Sequence, residues 1–394
     1  MSKRKPRLAL KRFANRSFQV TRPPFDHPFD FAACFAPDYA ASRAKFLAAA
    51  RGAGGRLKAY RNPLRGPRGE ELATDVAWCG PAGARKVLVL QSATHGVEGF
   101  TGSGAMLDFL LTGGAQYLPD AVAVLMIHAI NPHGFAWLRR VTEENVDLNR
   151  NFVDFAAALP ENAGHDELAD ALVPRELSGP AFEAAEAKIA AYRAKHGETA
   201  FQIARGGGQY RHAHSMFFGG SGPTWARRTL ESLIDDHELA ARAQVAIIDY
   251  HTGLGPFGYG EPICSHDAGT PALERARLWY GDSLTEPAAG TSSSVVKSGL
   301  NEFGWMARLG ERATFVALEY GTYTPDAGRR ALREDHWLHA FAKVDWAVPE
   351  TQRIKRQVRK QYYPDSDDWR EMVLFRSRQV IRQALAGLAG AASS

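Results

Sequence analysis

Two short stretches carry residues that could do chemistry together: Thr94-His95-Gly96-Val97-Glu98 and Asp147-Leu148-Asn149-Arg150-Asn151-Phe152. The first offers a zinc ion an imidazole and a carboxylate three residues apart. The second offers an amide and a guanidinium suited to gripping a free carboxylate, because the arginine fork matches that group in bidentate fashion. A metal that activates water, beside a clamp for a carboxylate, describes hydrolysis of an amide next to an acid group.

An H-x-x-E pair alone is a weak signal in a chain with 13 His, since chance matches are expected. Position adds weight. His95 and Glu98 follow residues 86–92 (KVLVLQS), a run of strand length, and ligands of open α/β sheets bind beyond the carboxyl ends of strands. His251 follows a second such run, 244–250 (QVAIIDY), with Gly253 and Gly255 behind it. A catalytic zinc takes three protein ligands and keeps one position open. His95, Glu98 and His251 therefore supply a His₂Glu set for one Zn²⁺ per chain. Carboxylates usually orient metal-binding imidazoles. Asp147 is a candidate partner for His95, and Asp249, two residues before His251, shares its strand face. A further run, 313–319 (ATFVALE), ends in Glu319. The bland reading is a strand-end residue already in water. The functional reading is a general base, since a carboxylate closing an apolar strand is costly to bury without purpose.

The elements that must position these residues follow from the apolar pattern. Runs at 86–92, 121–130, 244–250 and 313–319 lack strict alternation, which suggests strands buried on both faces. Helix candidates at 38–51, 102–111, 182–195, 230–242 and 367–388 are interspersed with them. The expected fold is α/β, a mixed, mostly parallel sheet flanked by helices on both faces. Residues 26–394 are read as a single domain. Within it, the polar, Ala- and Glu-rich stretch 156–205 is read as a helical insertion over the sheet edge or site rim. Glycine clusters at 206–208 and 219–222 match neither phosphate-binding pattern and are read as turns.

Of the 394 residues, 45% are hydrophobic and 23% charged, a globular balance. No stretch approaches the ~18 apolar residues of a membrane span. The net charge of +5 is concentrated in residues 1–25, where Lys and Arg occur without any acid. This arm is read as a solvated, partly disordered tail rather than a nucleic-acid or membrane contact, because aromatic interleaving is sparse and no RNA-binding motif follows. No apolar segment with a cleavage site marks a secretory signal. Three widely spaced cysteines, Cys34, Cys79 and Cys264, give neither a disulfide framework nor a cysteine zinc site;. Buried free thiols in a reducing, cytoplasmic setting are expected.

Taken in order, the pieces are a strand then His95 and Glu98, an N-P-x-G-F turn (Asn131 to Phe135), D-x-N-R-N (Asp147 to Asn151), a strand then His251, and a strand ending in Glu319. Over roughly residues 86–323 this series resembles the M14 zinc carboxypeptidase family. It looks closest to the DUF2817 branch, itself similar to the aspartoacylase and succinylglutamate desuccinylase branch. The resemblance implies zinc on His95, Glu98 and His251, with Asp147 behind the first histidine. It implies Asn149 and Arg150 on the substrate's carboxylate and Glu319 as base. Arg140, ahead of Arg139, would polarise the scissile carbonyl and stabilise its oxyanion. Digestive-type members carry a substrate-capping tyrosine upstream of the final glutamate. Residues 292–312 contain none, and Tyr320 and Tyr323 lie after Glu319.

The expected substrate is a small peptide or an acyl-amino acid with a free carboxylate. The reading is carboxypeptidase-type cleavage, and the missing tyrosine leaves N-acyl amino acid deacylation as the alternative. Two rivals are weaker. Gly281-Asp282-Ser283-Leu284 spells a serine-esterase motif, but it comes late and no D-x-x-H box follows. A non-catalytic carboxylate binder would have lost a ligand or the base, and all are present.

Overall fold

The computed structural model describes residues 30–390, built around a seven-stranded mixed sheet. The strands are β1 (Arg56–Arg65), β2 (Glu71–Cys79), β3 (Lys86–Gln91), β4 (Val122–His128), β5 (Gln244–Phe257), β6 (Gly260–Ile263) and β7 (Ala313–Gly321). Their spatial order is β1-β2-β4-β3-β5-β7-β6. The four strands read from apolar runs form the central block β4-β3-β5-β7, in which every neighbour is parallel. β1 and β2 add an antiparallel pair at one edge, and β6 runs antiparallel to β7 at the other. Five strands thus point one way, with β2 and β6 reversed. The parallel block brings the carboxyl ends of β3, β5 and β7 side by side.

Eleven helices are described: α1 (Tyr39–Gly52), α2 (Gly99–Leu111), α3 (Pro132–Ala136), α4 (Ala163–Leu172), α5 (Gly179–Gly206), α6 (Trp225–Asp236), α7 (Pro271–Tyr280), α8 (Asn301–Leu309), α9 (Pro325–Phe341), α10 (Pro349–Tyr362) and α11 (Asp367–Ala389). One sheet face packs Leu230 and Leu233 of α6 and Trp305 and Leu309 of α8 against Val89, Leu125, Ile247 and Phe315. The opposite face takes α2 and α11. A Cβ on Gly102 of α2 would lie 2.5 Å from Ser92 and 3.0 Å from Tyr250, so only glycine lets α2 approach so closely. The Tyr250 hydroxyl lies 2.7 Å from Ser377 of α11. Helices therefore cover both faces, as the apolar runs require.

Some boundaries differ from the sequence reading. α6 starts upstream of the expected 230–242 because the Thr224 side chain accepts from Arg227 N and caps the helix there;. It ends before Glu238, whose φ of +50° leaves helical geometry. The N-P-x-G-F turn is the short helix α3, capped by Asn131, which accepts from Gly134 N. The stretch 156–205 holds α4 and most of α5, which bends at Gly197. Leu168, Ile189 and Phe201 of that pair share an apolar cluster with Leu332 of α9 and Val358 of α10. The expected arm at 1–25 lies outside the described residues. All three cysteines are buried. Among the described residues no helix is long and apolar enough to cross a membrane.

Behind α3, Asp335 of α9 accepts from Arg139 Nε at 2.8 Å and from Lys355 Nζ of α10 at 2.6 Å. All three are buried. Removing the carboxylate leaves two cations buried together, and breaking such a pair typically costs ~3–5 kcal/mol. Asp335→Asn should lower the urea midpoint of unfolding accordingly. An unchanged midpoint would mean that both cations reach water in the folded variant.

Candidate active site

Each strand of the block delivers its functional residue through a local backbone feature. β3 ends at Gln91, and Ala93 takes a φ of +62°, a strained conformation for a residue with a Cβ. Ala129, just past the neighbouring β4, has a φ of +61°. Ile130 N donates to Ser92 O and Asn131 N to Ala93 O, which locks the two bends together. Gly96 then lies on Gly134 so closely that a Cβ would overlap the Gly134 backbone. Gly96 N donates to Arg140 O and Val97 N to Arg139 O. These contacts set His95 and Glu98 in register with Arg140. His251 and Glu319 need no such loop, because they are directly paired across β5 and β7.

His95, Glu98 and His251 converge. The Nδ1 atoms of the two imidazoles are 3.1 Å apart. Glu98 places Oε1 at 3.0 Å from His95 Nδ1 and Oε2 at 3.2 Å from His251 Nδ1. One ligand atom from each lies within 4.8 Å of the others, and all three residues are buried. The far nitrogens meet carboxylates: His95 Nε2 is 3.2 Å from Asp147 Oδ1, and His251 Nε2 is 2.8 Å from Asp249 Oδ2. Two nitrogens and a carboxylate, with an aspartate behind each ring, are a donor set that fits zinc.

The charges fit the same reading. Burial works to raise Glu98, but the imidazoles of His95 and His251 outweigh it and hold the carboxyl well below its ordinary range. Burial works to lower His251, yet Asp249 and Glu98 push it up to about 10. Asp147 is held well below its usual value against burial by Arg140 and His95.

Arg140 reaches Asp147 at 2.9 Å and Glu98 at 3.3 Å, and its Nη2 stands 2.7 Å from His95 Nε2. That nitrogen cannot accept from Arg140 and donate to Asp147 at once. A metal held by Nδ1 would leave the proton on Nε2, where it would be donated to Asp147 rather than shared with Arg140. Arg139 is tied instead to Asp335 and Asn145. Of the two arginines, Arg140 alone lines the cavity.

A cavity of about 520 Å³ opens onto this corner and is lined by His95, Arg140, Asn149, Arg150, His251 and Glu319. All the expected site residues are thus brought together, with Asp249 in the wall and Glu98 and Asp147 behind it. Burial and the charge of Glu98 push the Glu319 carboxyl up to about 7, and Leu254 N donates to its Oε1 at 3.1 Å. Arg150 is more committed than a free fork. Nε and Nη2 donate to Gly206 O at 3.2 and 2.6 Å, and Nη1 to Asn149 O at 2.5 Å. The loop at 206–208 thus seats an arginine. Asn149 accepts from Asn301 N at 2.7 Å, leaving its amide nitrogen for a ligand.

Sequence reasoning passed over four residues here. The Thr94 hydroxyl donates to Asp249 at 2.8 Å, and Asn301 Nδ2 donates to the same carboxylate at 3.1 Å. Tyr362, at the end of α10, lines the cavity, and burial raises its phenol despite the nearby Arg140. Lys297 lines it as well. None belongs to a motif, and only the T-H-x-x-E spelling around Thr94 offered a signal.

The family model described as "Protein of unknown function (DUF2817)" matches residues 35–376. The chain belongs to the DUF2817 family. No curated protein matches it. This DUF2817 protein is similar to several solved structures at low identity. Carboxypeptidase A from Helicoverpa armigera has 13% identity and a TM-score of 0.46, over 91% of this chain and 74% of that one. Bovine thrombin-activatable fibrinolysis inhibitor has 8% identity and a TM-score of 0.41, over 89% and 98%. An aspartoacylase family protein from Mesorhizobium loti has 14% identity and a TM-score of 0.37, over 73% and 67%.

A second buried group of metal-ligating types in this DUF2817 protein is Cys264, His266 and Glu302. Phe315 N donates to His266 Nε2 at 3.0 Å, so the neutral ring holds its proton on Nδ1, 3.1 Å from Glu302. That nitrogen has no lone pair for a metal. Ser283 of the esterase-like motif donates to Tyr280 O at 2.7 Å and does not line the cavity.

The Gly96–Gly134 contact yields a prediction. Gly96→Ala must force the His95–Glu98 loop off α3, and overpacking of this kind costs ~1–3 kcal/mol. The variant should unfold at lower urea and bind added zinc more weakly than the wild type. Unchanged stability and zinc affinity would mean that the loop can shift without moving His95.

Proposed function

We propose that this DUF2817 protein is a zinc-dependent hydrolase that cleaves an amide bond next to a free carboxylate, in the manner of a carboxypeptidase. The observation that carries the reading is the convergence of two aspartate-backed imidazoles and Glu98 at the corner of a cavity that also holds Glu319 and Arg150. His95, Glu98 and His251 would hold the zinc, which when bound supplies a Lewis acid for water and carbonyl.

The chain's own residues supply the rest. Glu319, raised toward neutrality by burial and Glu98, takes a proton from the attacking water and passes it to the leaving nitrogen. Arg140 turns N–H groups toward the scissile carbonyl as negative charge develops on its oxygen. The open amide of Asn149 and the remaining N–H groups of Arg150 hold the substrate's carboxylate. Asp147 and Asp249 keep the imidazoles oriented. A second reading, deacylation of an N-acyl amino acid, is favoured by the lack of any tyrosine in residues 292–312. Three buried, widely spaced cysteines suit a reducing compartment such as the cytoplasm;.

Metal analysis should find one zinc per chain, and His251→Ala should lose most of it. Wild-type zinc content in that variant would exclude His251 as a ligand. Glu319→Gln should keep its zinc and lose at least about 10²-fold in turnover, the usual scale of general acid–base catalysis. Near-normal turnover would assign proton transfer to another group.

The clamp is tested with paired substrates, N-acyl amino acids and short peptides with free or amidated carboxyl ends. Arg150→Ala should lose about ten- to a hundredfold in kcat/KM on the free acids, as expected for a lost charge-assisted hydrogen bond. Wild type and variant should converge on the amides. Equal cleavage of both forms by the wild type would make this a neutral-amide or endo-acting hydrolase.

A further inference from the structure

Lys297 lies on the segment between β6 and β7 and lines the cavity beside Arg150 and Glu319. Its ammonium donates to Ser294 Oγ. Among the described residues, no carboxylate lies within ion-pair distance of Lys297 or of Arg150. The two cations nevertheless share one wall. Ser298 N donates to Gly207 O at 3.1 Å, and Phe152 N donates to Gly299 O at 3.2 Å. Gly299, with a φ of +67°, lets this loop lie directly on the Arg150 carbonyl. Burial and the neighbouring guanidinium push Lys297 down to about 7 despite attraction to Glu319, and burial takes Arg150 down to about 10. Two partly desolvated cations with no carboxylate in ion-pair contact are stabilised when an anion joins them.

The loop is also built to hold its lysine in place. Glu261 of β6 is buried and lies directly opposite Glu319 across the strand pair. Its carboxylate accepts from Thr285 Oγ1 at 2.5 Å, Ser292 Oγ at 2.8 Å, Ser293 N at 3.0 Å and Ser293 Oγ at 2.5 Å. Ser294, which receives the Lys297 ammonium, follows immediately. Two of that ammonium's three protons remain for a ligand. Arg150 has already given three of its five to backbone carbonyls. Arg150 alone therefore offers only part of a carboxylate site.

We propose that Lys297 binds the substrate's carboxylate together with Arg150, as the second cation of a two-sided anion site. The proposal rests on the reading of this cavity as one for carboxylate-bearing amides. It defines the substrate class further: the carboxylate must lie between the 150 and 297 segments.

The test is calorimetric binding of succinate, with succinamide as the neutral probe, to zinc-loaded wild type, Lys297→Met, Lys297→Arg and Arg150→Ala. Lys297→Met should bind succinate about ten- to a hundredfold more weakly, with succinamide unchanged and Lys297→Arg in between. Should Lys297→Met fold poorly, by circular dichroism, Lys297→Gln replaces it. In the hydrolysis assay the loss should fall on KM rather than kcat, which a purely structural lysine would not produce. Succinate binding as tight as wild type in Lys297→Met, with Arg150→Ala weakened, would overturn the role of Lys297 and leave the carboxylate reading standing. A wild type that does not prefer succinate to succinamide would overturn both.

Discussion

The contact of Gly96 with Gly134 is the constraint on which the site depends. Two loops leave the ends of adjacent parallel strands, and their backbones meet with no room for a side chain between them. Hydrogen bonds from Gly96 and Val97 to the carbonyls of Arg140 and Arg139 close the same junction. Ala93 and Ala129, both at positive φ, hold strain that the surrounding bonds must offset. The result is a corner at which His95, Glu98 and the adjacent Arg140 are positioned by backbone contacts rather than by their own side chains. Sites held this way lose little entropy when the ligand arrives.

Charge is the second organising constraint. Glu98, Asp147 and Asp249 are buried within a few ångströms of two imidazoles and Arg140. Burial opposes the charged form of His251, but Asp249 and Glu98 outweigh it and push the ring up to about 10. A dication held by His251 would displace the ring's proton, so metal affinity and pH would be linked at this corner. The competition between Arg140 and Asp147 for His95 Nε2 belongs to the same balance. A metal held at this corner would favour Asp147 as the acceptor from His95 Nε2 and leave Arg140 to face the cavity that it lines.

The parts of the site legible in the sequence were those fixed by strand ends. His95, His251 and Glu319 each follow an uninterrupted apolar run, and such runs mark buried parallel strands whose carboxyl ends gather at one edge. Asp249 was legible because strand periodicity places it on the face of His251. β1 was missed because it is a largely exposed edge strand with Pro63 and several charges, where apolar periodicity carries no signal. β6, with four residues and a proline, was too short to register. Asn301, Lys297 and Tyr362 could not be read at all. They reach the site from a helix start, a loop and a helix end, and tertiary packing alone decides which way such residues face.

These late-arriving residues tie the two halves of the site together. Asn301 is the pivot: its backbone N–H donates to Asn149, and its side chain donates to Asp249, which in turn holds His251. The Asn149–Arg150 wall and the His95–His251 corner are therefore linked through one residue at the start of α8. The segment that carries Lys297 runs directly into Asn301, so the same stretch of chain places a cation on the wall and a donor behind the corner. Under the proposed function, the distance between a bound carboxylate and the scissile bond would be a property of this segment. A displacement of residues 297–301 would move Lys297 away from Arg150 and loosen Asp249 at once. Under the proposed function, in which a carboxylate is held at fixed reach from a scissile amide, this linkage would tie substrate length to the orientation of the His251 ring.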